Sequence, residues 1–485
     1  MKFSELVGQA VGADFEVRGI ADDSRKVQAG DVFVWDSRVA KQDVAKLAAD
    51  AKARGAVAVV SDVAVDGAVR VEDAGDVLAR YARVAWVEQP KVMLGVTGTS
   101  GKTSVVWFGR QLAQLAGRNA ASVGTLGVMR KDTDVETEYT GFTSPTALKL
   151  GPILETLKKE KVDTCLLEVS SHALVLKRVD AVKFKAAGLT NITQDHLDFH
   201  GDLAGYHAAK LRLFSEVLPE GGVAVLNIAR METWPAASVA KQRGCPVLTV
   251  GTSNAELVAE VVEASGRGLQ LNLKFDAVPV PVPVEVPLIG SFQAENLAVA
   301  LGLLVGGGYD WKQIAGAVKQ MTAVPGRMEV VPSVAPQPSV VVDYAHKPDA
   351  LQRALQSLRP LVKGGGKLRV VFGCGGNRDA LKRPMMGRIA AELADVVYVT
   401  DDNPRKENAT EIRRQVIEGV KVGGGTALEF DDRKQAIAAA ITDAGADDVV
   451  LIAGKGHESG QIVGDTVLPF DDRLVAREVL GNGRG

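Results

Sequence analysis

The sequence predicts an α/β protein in three parts: a small N-terminal α/β unit, a central unit built on a phosphate-binding loop, and a C-terminal doubly wound unit. Three observations carry this. The first is Gly95-Val-Thr-Gly98-Thr-Ser-Gly101-Lys102-Thr103, which follows the apolar run Val92-Met93-Leu94 and opens a helical pattern from Ser104 to Ala116, closed by Gly117. The second is the alternation of strand and helix patterns over residues 326–485, as a parallel sheet with crossover helices requires. The third is length, since 485 residues make about three domains of ordinary size.

The loop has a physical reading. A strand, a glycine-rich turn and a helix N-terminus form an anion cradle. Backbone N–H groups converge, the helix dipole favours negative charge, Lys102 adds a point charge and the Thr103 hydroxyl can hold Mg²⁺. The strict G-x-x-x-x-G-K-[ST] spacing fails at one place, because Val96 stands where the first glycine belongs. Strand before and helix after still point to a nucleotide phosphate.

Composition narrows the field. A formal net charge of −2 gives no electrostatic footprint for nucleic acid or an anionic membrane. No apolar run approaches spanning length, and Met1-Lys-Phe-Ser-Glu-Leu carries no signal-peptide core, so a cytoplasmic protein is expected. Cys165, Cys245 and Cys374 share no metal or redox spacing and read as reduced, buried thiols.

In the first unit, residues 1–88, the polar loop Asp22 to Asp31 feeds the strand Val32-Phe33-Val34, with a helix over Ala45 to Ala53 and a buried strand over Ala56 to Val60. Taken alone, Ser24-Arg25 reads as a solvated loop. In the second, residues 89–325, the hydroxyl-rich Phe142-Thr143-Ser144-Pro145-Thr146 precedes a helix over Ala147 to Glu160, and an N-cap would explain it. The strand Cys165-Leu-Leu-Glu168 ends in a carboxylate followed by Ser170, Ser171 and His172. A second strand, Ala186 to Ile192, leads to Asp195-His196-Leu-Asp198-Phe-His200. Open α/β sheets bind ligands at such strand ends, so the His/Asp cluster is a metal or phosphate candidate. Lys210, on a helix, reads locally as solvated. Alternation from Leu257 to Val286 is β-like, and its prolines favour an edge strand. Ser291 to Gly302 reads as a helix carrying Asn296.

The third unit, residues 326–485, begins at the hinge-like Val324-Pro325-Gly326-Arg327. Its strands end in Asp343-Tyr-Ala-His346, Gly373-Cys-Gly-Gly-Asn377-Arg378-Asp379, Asp401-Asp402-Asn403-Pro404-Arg405 and Gly454-Lys455-Gly456-His457-Glu458. Four polar strand ends in one domain read as a site for an anionic small molecule.

In this order, Gly-Thr-x-Gly-Lys-Thr, Glu-Val-Ser-Ser-His, Asp-His-Leu-Asp-x-His, Asp-Tyr-Ala-His-x-Pro, Asp-Asn-Pro-Arg and Gly-Lys-Gly-His-Glu closely resemble the motifs of the Mur ligases. These are ATP-dependent enzymes that extend the peptide of the bacterial cell-wall precursor. The resemblance covers nearly the whole chain and is patchy only in the first unit. It implies an N-terminal UDP-substrate domain, a central P-loop ATPase-like domain with a mostly parallel sheet, and a Rossmann-like C-terminal domain that binds the amino acid. It implies ATP bound by Gly98, Thr99, Ser100, Gly101, Lys102 and Thr103, with Asn296 at the adenine and Arg327 and Asp343 near ribose and phosphates. Mg²⁺ would be held by Thr103, Glu168, His196 and Lys210, the last as a carbamate.

For UDP-N-acetylmuramoyl-L-alanyl-D-glutamate the resemblance implies Ser24, Thr143, Ser144, Ser170 and Arg178. For the incoming amino acid it implies Arg378, Asp402, Asn403, Pro404, Arg405, Gly454 and Glu458. The Asp-Asn-Pro-Arg form resembles that of ligases adding meso-diaminopimelate, whose far end carries an ammonium and a carboxylate. Arginines can clamp the carboxylate and Glu458 can accept from the ammonium. The implied chemistry is acyl phosphate formation in a monomer whose C-terminal domain closes about Pro325-Gly326. An L-lysine-adding ligase and an inactive nucleotide-binding regulatory homologue are the alternatives. Asp402 to Arg405 speaks against the first, and Lys102, Glu168, His196 and Lys210 together against the second.

Departures from the family pattern touch the phosphate loop once and otherwise bear mainly on UDP recognition. Ser100 replaces an asparagine, Ser144 a threonine and Leu176 a glutamine. Ala229 and Arg230 stand where two aspartates are usual, and Trp35-Asp36-Ser37-Arg38 replaces an Asp-Gly-His stretch.

Overall fold

A computed structural model describes residues 1–39, 43–130, 135–136, 143–265, 268–333 and 337–481. Phe142 and the Asp198 side chain lie outside the described residues. The chain separates into two compact units. One comprises Met1–Val258, Phe275–Pro279 and Glu295–Ala317, the other Ala259–Lys274, Val280–Ala294 and Val318–Gly485.

The first unit begins with a parallel sheet of β1 (Gly19–Ala21), β2 (Asp31–Trp35), β3 (Ala58–Ser61) and β4 (Val69–Arg70), in that order. Both faces of β2 are covered, as expected of an unbroken Val-Phe-Val-Trp run. Val32 and Val34 pack with Phe3, Leu6 and Val77, whereas Phe33 and Trp35 pack with Ala48 and Ala51. The Asp73 carboxylate caps the helix Ala74–Ala85 by accepting from Gly75 N at 2.8 Å.

A larger sheet follows. Its strands are β5 (Val92–Thr97), β6 (Ala120–Gly124), β7 (Gly127–Met129), β8 (Val135–Glu136), β9 (Thr164–Glu168), β10 (Phe184–Leu189), β11 (Val223–Asn227) and β12 (Val247–Gly251). They lie in the order β12-β11-β10-β5-β9-β6-β7-β8, parallel from β12 to β6. The phosphate loop leaves the middle strand β5, with Glu168 at the end of β9 on one side and Thr190-Asn191 after β10 on the other. That sequence of strands, not any single motif, brings the three segments to one edge. Strands β13 (Leu257–Ser265), β14 (Gly268–Phe275) and β15 (Val278–Val286) then lie side by side. The proline-bearing β15 is outermost, where missing N–H groups break no ladder.

In the second unit β16 (Glu329–Val331), β17 (Ser339–Asp343), β18 (Leu368–Phe372), β19 (Val396–Val399), β20 (Ala427–Glu429) and β21 (Val449–Ala453) form a sheet of order β16-β17-β21-β18-β19-β20. All pairs are parallel except β16 with β17. Alternate residues serve opposite faces. Val341, Val370 and Leu451 pack with Leu351, Leu355, Met386, Ile412 and Val416, while Val342, Val371 and Ile452 pack with Ile437, Ala440 and Val475. Each such side chain contributes about 1.5–3 kcal/mol on burial. This is the doubly wound pattern expected from sequence, completed by a hairpin of β22 (Gly460–Val463) and β23 (Thr466–Pro469). Among the described residues no helix is long and apolar enough to cross a membrane.

Candidate active site

The helix after β5 runs Lys102–Leu115, two residues earlier than the apolar pattern places it, so Lys102 and Thr103 occupy its first turn. Gly101 is its N-cap at φ +87°, and Gly98 has φ +150°. A Cβ on Gly98 would overlap Thr190 Oγ1, and one on Gly101 would overlap Asn296 Oδ1. Close approach explains both glycines. Neighbouring strand ends lock the loop from outside. Thr99 N donates to Asn191 O at 2.9 Å, Ser100 N to Asn191 Oδ1 at 3.0 Å, and Thr190 Oγ1 to Ser100 O at 2.6 Å. Lys102 Nζ donates to the loop carbonyls of Gly98 (2.6 Å) and Thr99 (3.2 Å).

Beside the loop, Glu168 is 1% exposed. Its carboxylate accepts from Thr103 Oγ1 at 3.1 Å, Thr125 N at 2.8 Å and Thr125 Oγ1 at 3.2 Å. Thr125 and its contact were invisible in the sequence, because nothing in Gly-Thr-Leu-Gly marks a carboxylate's partner. Thr103 and Glu168 thus present hard oxygen donors side by side, the chemistry Mg²⁺ takes. Among the described residues no cluster of three or more His, Cys, Asp or Glu could hold a metal. Mg²⁺ usually binds through one or two carboxylates, keeping waters and phosphate oxygens, so the donor set fits.

His196 lies at φ +52°, capping the short helix Leu197–His200, with its ring 4.8 Å from that of His172 and Nε2 3.5 Å from Asp195 Oδ2. His200 Nε2 instead pairs with Ser171 Oγ at 2.9 Å.

Lys210 corrects its local reading as solvated. It is 1% exposed, with its ammonium 4.5 Å from the Tyr206 ring centre. Burial, with the Lys102 charge added, drives the amine well below its ordinary range, and Asp195 opposes this. The helix pattern could not reveal it, because Lys102 and Asp195, whose charges act on it, lie outside its helix Leu203–Arg212.

Of the Ser24-Arg25 pair read as a solvated loop, the Arg25 side chain is exposed, whereas Ser24 is buried, at 3% exposure, on a 3₁₀ turn. Thr146 makes no side-chain cap bond, so capping does not explain the hydroxyl run. Ser144 Oγ donates to Glu168 O at 2.8 Å and accepts from Ser170 N at 2.9 Å, and Arg178 Nη1 donates to Ser144 O at 3.1 Å. Thr143 Oγ1 accepts from Thr125 Oγ1 at 3.3 Å. Thr143, Ser144, Ser170 and Arg178 therefore form one connected group with Glu168.

The Trp35–Arg38 segment builds its own support. The Arg38 guanidinium pairs with Asp36 at 2.6 Å and Asp73 at 2.5 Å, and donates to Val175 O at 3.3 Å. A cavity of about 50 Å³ opens between Trp35, Asp36, Leu78, Thr146, Leu176 and Arg178. Arg230 pairs with Glu295 at 2.7 Å.

In the second unit the four polar strand ends share one sheet edge, because β17, β21, β18 and β19 are successive neighbours. The Arg327 guanidinium lies 4.5 Å from the Tyr344 ring centre. Asp343 Oδ2 accepts from Met328 N at 2.7 Å, and burial raises its carboxyl although Arg327 opposes. At the next ends, Lys455 is fully buried. Its Nζ donates to Asn403 Oδ1 at 3.1 Å and Glu458 Oε2 at 3.2 Å, and lies 3.6 Å from Asp402 Oδ1. Sequence reasoning placed Lys455 in a polar strand end but gave the amino-acid role there to Gly454 and Glu458, not to Lys455.

Asn403 Nδ2 also donates to Glu458 at 3.0 Å, and its carbonyl accepts from Arg405 Nη1 at 3.4 Å. Arg405, at φ +52°, is held by N–H donation to Ile462 O at 3.0 Å and by Nη1 donation to Gly376 O at 3.0 Å. Pro404 is buried, and Arg378 is exposed on the loop after β18. Gly454 opens the turn at φ +117°.

The Mur ligase middle domain matches residues 96–304 and the Mur ligase, glutamate ligase domain residues 326–456. The chain is 40% identical over 476 residues to the UDP-N-acetylmuramoyl-L-alanyl-D-glutamate–2,6-diaminopimelate ligase of Chelativorans sp., spanning 97% of this chain and 96% of that one. It is 41% identical over 501 residues to the ligase of that name from Bradyrhizobium diazoefficiens, with 99% of each covered. A solved structure of such a ligase superposes with a TM-score of 0.69 at 32% identity over 99% of both chains. With the phosphate loop, the Glu168 carboxylate and the Asp-Asn-Pro-Arg edge in these positions, the chain belongs to the Mur ligase family.

Proposed function

We propose that this chain joins meso-diaminopimelate to the D-glutamyl γ-carboxylate of UDP-N-acetylmuramoyl-L-alanyl-D-glutamate, with ATP converted to ADP and phosphate. It is an ATP-dependent ligase of peptidoglycan precursor synthesis. The observation that carries the amino-acid choice is the pairing at one sheet edge of a cation, Arg405, with an anion, Glu458, both touching Asn403. A side chain ending in both ammonium and carboxylate needs both partners, whereas lysine needs only the anion.

The division we adopt assigns residues 1–88 to the nucleotide-sugar, 89–325 to ATP and 326–485 to the amino acid. Ser24, Thr143, Ser144, Ser170 and Arg178 orient the UDP substrate. Gly98 to Thr103 cradle the β- and γ-phosphates, with Asn296 at the adenine and Arg327 and Asp343 at ribose and phosphate. Thr103, Glu168, His196 and a carbamylated Lys210 would hold Mg²⁺, which when bound would supply positive charge beside the transferred phosphoryl group. Lys102 adds its charge to the same oxygens.

The γ-carboxylate displaces ADP to give an acyl phosphate. The amine at the L-centre of diaminopimelate, oriented by Arg378, Asp402, Asn403, Pro404, Arg405, Gly454 and Glu458, then expels phosphate. The neutral amine of Lys210 is the form that adds carbon dioxide, and its burial favours that neutral form. Labelling the γ-carboxylate with ¹⁸O tests the route. Label in the released phosphate supports an acyl phosphate, and label in AMP would refute it.

A further inference from the structure

Arg433 opens the helix Arg433–Thr442 and its side chain is fully buried. It forks onto Asp472, also fully buried at the start of the helix Asp472–Val479, with Nε to Oδ1 and Nη2 to Oδ2 both at 2.7 Å. The same guanidinium donates through Nη2 to Ala453 O at 2.9 Å and through Nη1 to Asp401 O at 3.5 Å. Those carbonyls belong to the residues directly before Gly454 and Asp402. Their strands, β21 and β19, are not neighbours, because β18 lies between them. Arg433 therefore reaches across a strand to tie two separate strand ends.

A buried ion pair is a poor source of stability, since a well-packed apolar pair of similar volume often does as well or better. What the guanidinium adds is direction: a planar fork that can meet a carboxylate and two carbonyls together. We propose that Arg433, locked by Asp472, is a positioning residue that fixes the separation of the Asp402–Arg405 and Gly454–Glu458 segments and so the fit of the incoming amino acid. This rests on the reading of that edge as the amino-acid site.

The test is the full-length double variant Arg433→Met, Asp472→Leu, which keeps apolar packing and removes only the fork. Steady-state kinetics vary meso-diaminopimelate, ATP and the UDP substrate in turn, with the unaltered chain in parallel. The expected result is a KM for diaminopimelate about tenfold higher, with the other two KM values within about twofold, the signature of a displaced binding edge. Arg433→Lys keeps the charge but cannot span all three acceptors, and gives a smaller rise in the same KM. If circular dichroism finds the double variant unfolded, Arg433→Lys decides alone.

An unchanged diaminopimelate KM in a folded variant overturns the proposal. So does a uniform loss across all three substrates that follows the folded fraction. Should the unaltered chain turn over only with a different amino acid, the reading of the edge fails, and the KM for that amino acid becomes the measure of Arg433.

Discussion

Replacing Lys455 by Met tests the hub of the C-terminal edge. The ammonium is fully buried, at 3.1 Å from Asn403, 3.2 Å from Glu458 and 3.6 Å from Asp402. Methionine fills much of the same volume, so the loss is electrostatic, not a cavity. Breaking a buried pair from one side costs about 3–5 kcal/mol, because the partner is left charged and dry. The Asp402 side chain is 10% exposed and gains little from water, whereas that of Glu458 is 34% exposed and is rehydrated in part. The lower end, about 3 kcal/mol, is therefore expected. For a unit of this size that corresponds to about 6–12 °C in the transition midpoint. Calorimetry would follow the transition of the C-terminal unit apart from the rest, since a chain of two units need not unfold in one step. In parallel, loss of the hub that aligns Asn403 and Glu458 raises the KM for diaminopimelate by about 10–100-fold. A loss below about 1 kcal/mol, or a shifted transition with an unmoved KM, would refute the view that Lys455 organises this edge.

Three further perturbations probe other parts of the account. Turnover should fall when carbon dioxide is stripped from the buffer and recover with bicarbonate, and Lys210→Met should lose about 10²–10³ in kcat with no bicarbonate response; an unresponsive parent enzyme would exclude a carbamate at Lys210. If Arg405 clamps the distal carboxylate as proposed, Arg405→Ala removes a charge-assisted contact of about 3 kcal/mol, so the diaminopimelate KM should rise about 10²-fold while that for ATP holds; equal changes in both would contradict the assignment. His457 is pushed down to about 4 by burial first and the Arg327 charge second. Its folded value lies below its unfolded one, so the unfolded state binds more protons and stability is lost as pH falls from about 6.5 towards 4. At pH 5 this amounts to at most about 2 kcal/mol, which His457→Gln should abolish. Urea midpoints at pH 7.5 and 5 measure it, and identical pH dependence in both proteins would disprove it.

Much of the fold was legible because strand and helix periods are written locally. The apolar runs of β2, β5, β9 and β10, and every parallel strand of the C-terminal sheet up to β19, announce themselves by pattern. Residues on one chemical motif were legible too: Lys102 and Thr103 open the helix after the phosphate loop, and Asp402 to Arg405 follow the end of β19. What pattern could not supply was burial imposed by distant segments. Lys210 lies on an ordinary helix and is dry nonetheless, with the charges of Lys102 and Asp195, from outside that helix, acting on it. Ser24 sits in a polar loop and is buried nonetheless. Arg433 bears no motif, and its role depends on carbonyls that sheet order alone brings within reach.

The most direct measurement is phosphate release from ATP with UDP-N-acetylmuramoyl-L-alanyl-D-glutamate, offering meso-diaminopimelate, L-lysine and D-alanyl-D-alanine in separate reactions. The account predicts turnover confined to meso-diaminopimelate. Equal turnover with L-lysine would contradict it, since a substrate with no distal carboxylate would then be using an edge built around Arg405.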